Sequence, residues 1–251
     1  MKQFILSFLM IFTMTGCTFT PKASDGTSWS QDLNKNLICT KKIDILPISI
    51  NGAKPPQEAF DFSMSKIKQY TTDNIVVHET VNLKIAENDV NDFIQRFGVY
   101  RAGFNKITPT EGAKLRKALK DFPKDKTGIV MIYTPSLRCS STGKNSLRGL
   151  AYHHAPDYNV VAYNQTTIDK APVISKIQAW KIVLTHEIGH RFKLPADKNR
   201  VNNGHCTRRE CILYAKPDWR AVLSVLRYGM PYDFCKECRA ELKKAKESCE
   251  E

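Results

Sequence analysis

The sequence of 251 residues lacks internal repeats, long low-complexity blocks and any dense stripe of basic residues. It is nevertheless basic, with 38 Lys and Arg against 25 Asp and Glu, but these charges are scattered along the chain. Proteins that bind nucleic acids usually cluster their Lys and Arg residues on one surface, with aromatic residues between them. A nucleic-acid partner is therefore not expected. The basic surface is instead expected to be solvated or to face anionic glycans or lipid headgroups. With 42% apolar residues, the chain can form one globular domain.

No apolar run is long enough to cross a bilayer, which needs about 20 helical residues. The longest candidate, residues 4–14, follows the positive Lys2 and ends at Met14-Thr15-Gly16-Cys17. Small residues directly before a Cys resemble the bacterial lipoprotein signal, and the alternative is an ordinary secretory signal with a chance Cys. We therefore predict a signal peptide over 1–16, acylation of Cys17, and lipid anchoring to a membrane of the bacterial cell envelope. Residues 17–36 lack periodicity and predict a flexible tether, followed by one domain over 37–251.

Hydrophobic patterning in the domain predicts strands that alternate with helices. Short apolar or alternating runs predict strands, the one at 128–133 central, and apolar residues at helical spacing predict helices. The predicted strands are 42–50, 74–83, 128–133 and 159–163, and the predicted helices are 55–70, 109–122 and 171–192. Residues 140–157 are predicted to be a polar loop, and a last helix follows a Cys-rich segment. The order predicts a mixed α/β (α+β) fold.

The last long predicted helix contains the pattern His186-Glu187-Ile188-Gly189-His190. Residues four apart lie on one face of a helix, so both imidazoles can hold one metal ion. Glu187 is placed to take a proton from a metal-activated water. The apolar run before His186 indicates that this face is partly buried, where two His and a Glu need a function. The pattern predicts a catalytic zinc site.

The sequence lacks a third His where the metzincin pattern H-E-x-x-H-x-x-G-x-x-H would supply one. The Gly position of that pattern is Lys193, and the His position is Ala196. A catalytic zinc needs a third protein ligand and one open position. The next His in the chain is His205, which follows Gly204, a residue that can supply a turn.

From His186 onward the sequence resembles the archaemetzincin family of zinc metallopeptidases. The resemblance rests on the HExxH helix, on His205-Cys206 followed by Cys211, and on Cys235-Lys236-Glu237-Cys238. It implies a zincin-like mixed twisted sheet with an active-site helix and a Cys-rich C-terminal subdomain. It also implies two zinc ions per chain and Glu187 as general base. The implied ligands are His186, His190 and His205 for the catalytic zinc and Cys206, Cys211, Cys235 and Cys238 for a structural zinc.

This sequence departs from the family in two places. Fourteen residues separate His190 from His205, a longer interval than in the family, so residues 196–203 are predicted to form a polar loop. The metzincin Met turn falls on Leu213, whose similar size predicts that the packing survives, and Met230 is an alternative at a different spacing.

Cysteine spacing alone leaves several possibilities open. A C-x4-C pair and a CxxC within 33 residues fit a zinc site, and two disulfides are the alternative in an oxidising compartment. A disulfide between Cys39 and Cys139 is a further possibility, and Cys249, in the charged tail, is predicted to be free or disordered.

The leading hypothesis for function is zinc-dependent hydrolysis of peptide bonds in a peptide or protein substrate. The alternative is a catalytically inactive zinc-containing surface lipoprotein that binds a partner. The intact HExxH pattern favours the enzyme, because a binding module has no need of Glu187.

Overall fold

One mixed β-sheet forms the centre of the protein. The structure is a computed structural model, and it describes residues 32–100, 107–137, 148–152, 158–171, 174–202, 204–214 and 231–249. Cys17, Cys139 and Met230 lie outside these ranges. Within them the sheet has six strands, β1 Ile43–Ile50, β2 Ile75–Val77, β3 Val81–Leu83, β4 Ile129–Thr134, β5 Gly149–Tyr152 and β6 Asn159–Asn164.

The strands run in the order β2-β1-β4-β6-β5, with β3 also pairing with β1. All pairs are parallel except β5 with β6. β1, β4 and β6 are buried along their whole length, as near-continuous apolar strands covered on both faces should be. The prediction that residues 128–133 form a central strand is confirmed.

Helices cover both faces of the sheet. They are α1 Lys35–Ile38, α2 Gln57–Tyr70, α3 Glu87–Tyr100, α4 Pro109–Lys120, α5 Gln165–Asp169, α6 Lys176–Arg191 and α7 Lys236–Glu247. One core joins α2, α6 and α7 to the sheet face that carries Ile45, Met131 and Val161. The other joins α3 and α4 to the face that carries Leu46, Ile132 and Val160. The three layers confirm the predicted mixed α/β fold.

Several predicted elements need correction. The predicted strand 74–83 is two strands, β2 and β3, whose pairings with β1 differ in register by one residue. The predicted loop 140–157 contains β5, whose four residues are too few to show a period. α3 was not predicted, although Val90, Phe93 and Phe97 have helical spacing. α6 begins only at Lys176, after a capping box formed by Ser175 and Gln178.

A disulfide joins the two ends of the domain. Cys39 bonds Cys249, with Cα atoms 5.4 Å apart, because α7 packs beside α1. The possible Cys39–Cys139 disulfide is therefore not formed, and the prediction of a free Cys249 is wrong, because no pattern in the sequence shows that α7 returns to α1.

Asn34, directly before α1, packs against the domain. Its side-chain amide donates to the side-chain oxygen of Asn159 and to the backbone carbonyl of Arg191. None of the helices in the described part of the chain is long and apolar enough to cross a membrane.

Candidate active site

The helix α6 brings two histidines of the HExxH pattern together on a buried face. His186 and His190 are one turn apart, and both are buried. Their Nε2 atoms are 3.1 Å apart. Two nitrogens that each lie about 2.0–2.1 Å from one tetrahedral zinc are about 3.4 Å apart, so this pair has the separation of two ligands.

A β-hairpin after α6 supplies the third histidine. Its strands are β7 Val201–Asn202 and β8 His205–Cys206, and Gly204 between them has a positive φ of 77°. Glycine adopts that conformation without steric penalty. The His205 ring lies 5.2 Å from the His186 ring and 4.8 Å from the His190 ring, between centroids. The ligand atoms of all three histidines lie within 4.8 Å of one another, and all three residues are buried.

One histidine is oriented by the backbone behind it. The Nδ1 atom of His186 lies 2.8 Å from the carbonyl oxygen of Ile212. An Nδ1–H that donates there leaves Nε2 as a lone-pair donor toward the other rings, which is the usual arrangement of a metal-binding histidine. Burial, followed by the proximity of His205, lowers the pKa of His186 to about 3. The ring is therefore neutral at physiological pH, as ligation requires.

Glu187 follows His186 on α6 and lies buried against the edge strand β5. A Cβ atom at Gly149 would fall 2.5 Å from Glu187 Oε1, so only glycine leaves room for this carboxylate. Burial raises the pKa of Glu187 to about 8, and the Arg191 guanidinium partly opposes that shift. A carboxyl group with such a pKa can accept and return a proton near neutral pH.

Lys193 and Leu213, which both differ from the residues of the metzincin pattern, take up positions that suit the site. Lys193, at the expected glycine position, has a left-handed φ of 60°, so the chain still turns there. A non-glycine residue in this conformation costs about 1–2 kcal/mol. Leu213 is fully buried, and its Cδ2 would be 2.9 Å from a Cβ placed on Gly189, between the two helix histidines. Leu213 thus packs under the site, as its size predicts.

Four cysteines form a second cluster next to the histidines. Cys206, Cys211, Cys235 and Cys238 are buried, and their sulfurs lie within 4.8 Å of one another. Three of the sulfur pairs are 3.8, 3.9 and 3.9 Å apart. A tetrahedral zinc with Zn–S bonds of about 2.3 Å separates its sulfurs by about 3.8 Å, whereas a disulfide brings them to about 2.05 Å. The cluster therefore has the dimensions of a tetrathiolate site, and the two-disulfide alternative is not the arrangement found.

All seven predicted ligand residues and Glu187 thus come together in two adjacent groups. Sequence reasoning missed Gly149, Arg191 and the Ile212 carbonyl around the histidines, and Arg200 beside the cysteines. No motif in the sequence marks these residues, because their roles depend on the strand and the hairpin that pack beside α6.

Comparison with known proteins finds similarity in shape to two archaemetzincin crystal structures. The archaemetzincin from Methanopyrus kandleri has a TM-score of 0.48 and 18% identity, covering 82% of this chain and 97% of that one. The archaemetzincin from Archaeoglobus fulgidus, solved as a malonate complex, has a TM-score of 0.39 and 18% identity, covering 80% and 99%. No protein-family model matches the sequence, and no curated protein is similar to it.

Proposed function

We propose that the protein is a zinc-dependent peptidase in which His186, His190 and His205 bind the catalytic zinc. The observation that carries the proposal is the buried convergence of these three rings beside a carboxylate that is not one of the converging ligands. Three neutral imidazoles leave one position of a tetrahedral ion open, as catalytic zinc sites do.

The proposed reaction assigns each step to a residue of this chain. A bound zinc ion would polarise the substrate carbonyl and acidify a water molecule. Glu187 accepts a proton from that water as the water oxygen forms a bond to the carbonyl carbon. Glu187 then returns the proton to the departing nitrogen as the C–N bond breaks. The absence of a side chain at Gly149 leaves the space that this carboxylate occupies.

The position of β5 supports an extended peptide or protein as the substrate. Within the described residues, β5 is an edge of the sheet and pairs with β6 alone. A peptide can add to such an edge through backbone hydrogen bonds. Gly149, the first residue of β5, touches Glu187, so a peptide bound along this edge would pass the proposed base. No nucleic-acid partner is proposed.

We further propose that the four cysteines hold a structural zinc, giving two zinc ions per chain. Elemental analysis of protein purified without chelator should find two zinc per chain. After denaturation in chelator, alkylation should then label all four cysteines of the cluster, located by mass spectrometry. If one zinc is found and no cysteine of the cluster is labelled, the four cysteines form two disulfides instead of a zinc site. The peptidase proposal is unaffected by that result. Absence of zinc would contradict both sites and favour the inactive binding lipoprotein.

For location, we propose that a lipid on Cys17 anchors the protein in the bacterial cell envelope. Wild-type protein should sediment with membranes, and Cys17→Ser should release it or leave an uncleaved precursor. A single acyl chain binds a membrane weakly, so firm sedimentation would require more than one chain. Equal solubility of the two proteins would contradict the anchor without affecting the peptidase proposal.

A further inference from the structure

The segment between His190 and His205 places one arginine against the cysteine cluster. Residues 198–200 form a 3-10 helix directly before β7, and Arg200 is its last residue. Arg200 Nη1 lies 3.5 Å from Cys238 Sγ, 3.8 Å from Cys235 Sγ and 3.9 Å from Cys206 Sγ. Its side chain is only 12% exposed. A single guanidinium nitrogen therefore faces three of the four sulfurs from a nearly buried position.

The rest of the Arg200 side chain fixes this segment to α7. Arg200 Nη2 donates to the Glu241 carboxylate, and Nε lies 3.4 Å from Asp197 Oδ2. Glu241 also accepts the backbone N–H groups of Ala196 and Asp197, at 3.0 and 3.1 Å. The guanidinium of this one residue thus joins α7, the cysteine cluster and Asp197. Lysine lacks the planar fork that these simultaneous contacts use.

The backbone of Arg200 belongs to the hairpin that carries His205. The Arg200 carbonyl accepts the N–H of Thr207, 2.9 Å away, across the hairpin from β8. β8 holds both His205 and Cys206, one in each proposed metal site. The contacts that fix Arg200 therefore also restrain the hairpin that carries His205.

With a bound zinc ion, the cysteine cluster would carry a negative charge that a nearby cation stabilises. Four thiolates around a divalent ion carry a net charge of −2, and these cysteines are almost completely buried. Backbone N–H groups of Arg208 and Cys235 approach sulfurs at 3.4 and 3.3 Å, but they bring no net charge. Among the described residues the Arg200 guanidinium supplies a positive charge within hydrogen-bond distance of the sulfurs.

We propose that Arg200 is a positioning residue that retains the structural zinc and, through the hairpin, holds His205 in the catalytic site. This inference rests on the proposed zinc sites. It assigns a function to the long segment between His190 and His205, which supplies the positive charge beside the thiolates. Outer-shell partners of metal ligands typically change metal affinity by about 10- to 100-fold when mutated.

The test measures zinc release from Arg200→Met to a coloured chelator, with simultaneous alkylation of the cluster cysteines. Arg208→Met is the matched control, because its side chain is 52% exposed and pairs with Glu237 rather than with sulfur. In Arg200→Met we expect release of the thiolate-bound zinc, with alkylation of the four cysteines, to accelerate by about 10-fold or more. We expect release of the second zinc, without alkylation, to accelerate as well. Arg208→Met is expected to match wild type.

Each outcome separates the inference from the proposed function. Wild-type protein with fewer than two zinc ions contradicts the zinc sites themselves. If wild type binds two zinc ions and Arg200→Met releases them at the same rates, only the Arg200 inference is overturned. The same holds if Arg208→Met accelerates zinc release as much as Arg200→Met does. If Arg200→Met does not fold, Arg200→Lys is compared with Arg208→Lys. Because lysine keeps the charge and loses the fork, release several-fold faster in Arg200→Lys supports the inference, and equal rates overturn it.

Discussion

Glu187→Gln is expected to lower peptide hydrolysis by roughly 100- to 10,000-fold, the contribution of a general acid–base group. The amide has nearly the shape of the carboxylate, so its contact with Gly149 is kept. It cannot accept the proton of the attacking water. The zinc content should stay at the wild-type value, because Glu187 is not one of the three converging ligands. Mass spectrometry of a digested peptide library identifies a cleaved peptide, and its initial hydrolysis rate is then compared between the two proteins.

The matched control for this substitution is Glu79→Gln. Glu79 is exposed and lies between β2 and β3, at the opposite edge of the sheet from β5. The same change of carboxylate to amide there should leave both the rate and the zinc content unaltered. Full activity in Glu187→Gln would show that the proposed base is wrong. Loss of zinc in that variant would instead make Glu187 part of the metal site.

Cys238→Ala is expected to remove the structural zinc and unfold the C-terminal part of the domain. Cys238 is fully buried on α7, and the apparent binding free energy of a structural zinc is about 10–16 kcal/mol in zinc-finger peptides. The free energy of unfolding of a whole domain is only about 5–15 kcal/mol. Loss of the zinc-binding free energy is therefore expected to unfold this part of the protein. Because Cys206 follows His205 directly, the catalytic zinc should also be weakened. Zinc per chain and the thermal unfolding midpoint, both measured against wild type, check this expectation.

A cavity made nearby provides the control. Leu242 lies four residues after Cys238 on α7 and is also buried. Leu242→Ala should destabilise the protein by about 2–5 kcal/mol through lost packing, yet retain two zinc ions. If Cys238→Ala keeps two zinc ions and unfolds no earlier than Leu242→Ala, Cys238 contributes packing alone and its assignment as a zinc ligand is wrong.

The sequence allowed prediction of the elements whose signal is local. The central strand β4 and the helix α6 carry continuous apolar runs or a fixed ligand spacing, which do not depend on distant partners. Helix geometry predicted that His186 and His190 share one metal ion, but His205 joined them only through the resemblance to the archaemetzincins. Gly204 before it does have the positive φ of a turn.

Long-range packing could not be predicted in the same way. Cys39 and Cys249 are 210 residues apart, and their pairing depends on how α7 returns to α1. The conformation of Lys193 was equally hidden, because a lysine gives no sign that its φ is 60°. Arg200 looked like part of a polar loop, since its contact with three sulfurs exists only after the hairpin has folded over α7.

The Cys39–Cys249 bond turns most of the domain into a closed covalent ring. A single cut anywhere in the backbone between these residues opens the ring without dividing the molecule into two pieces. If a peptidase of this kind cuts its own exposed segments, the nicked molecules would still migrate as one species in a non-reducing gel. They would separate into fragments only after reduction, so intact and nicked protein must be distinguished under reducing conditions before any activities are compared.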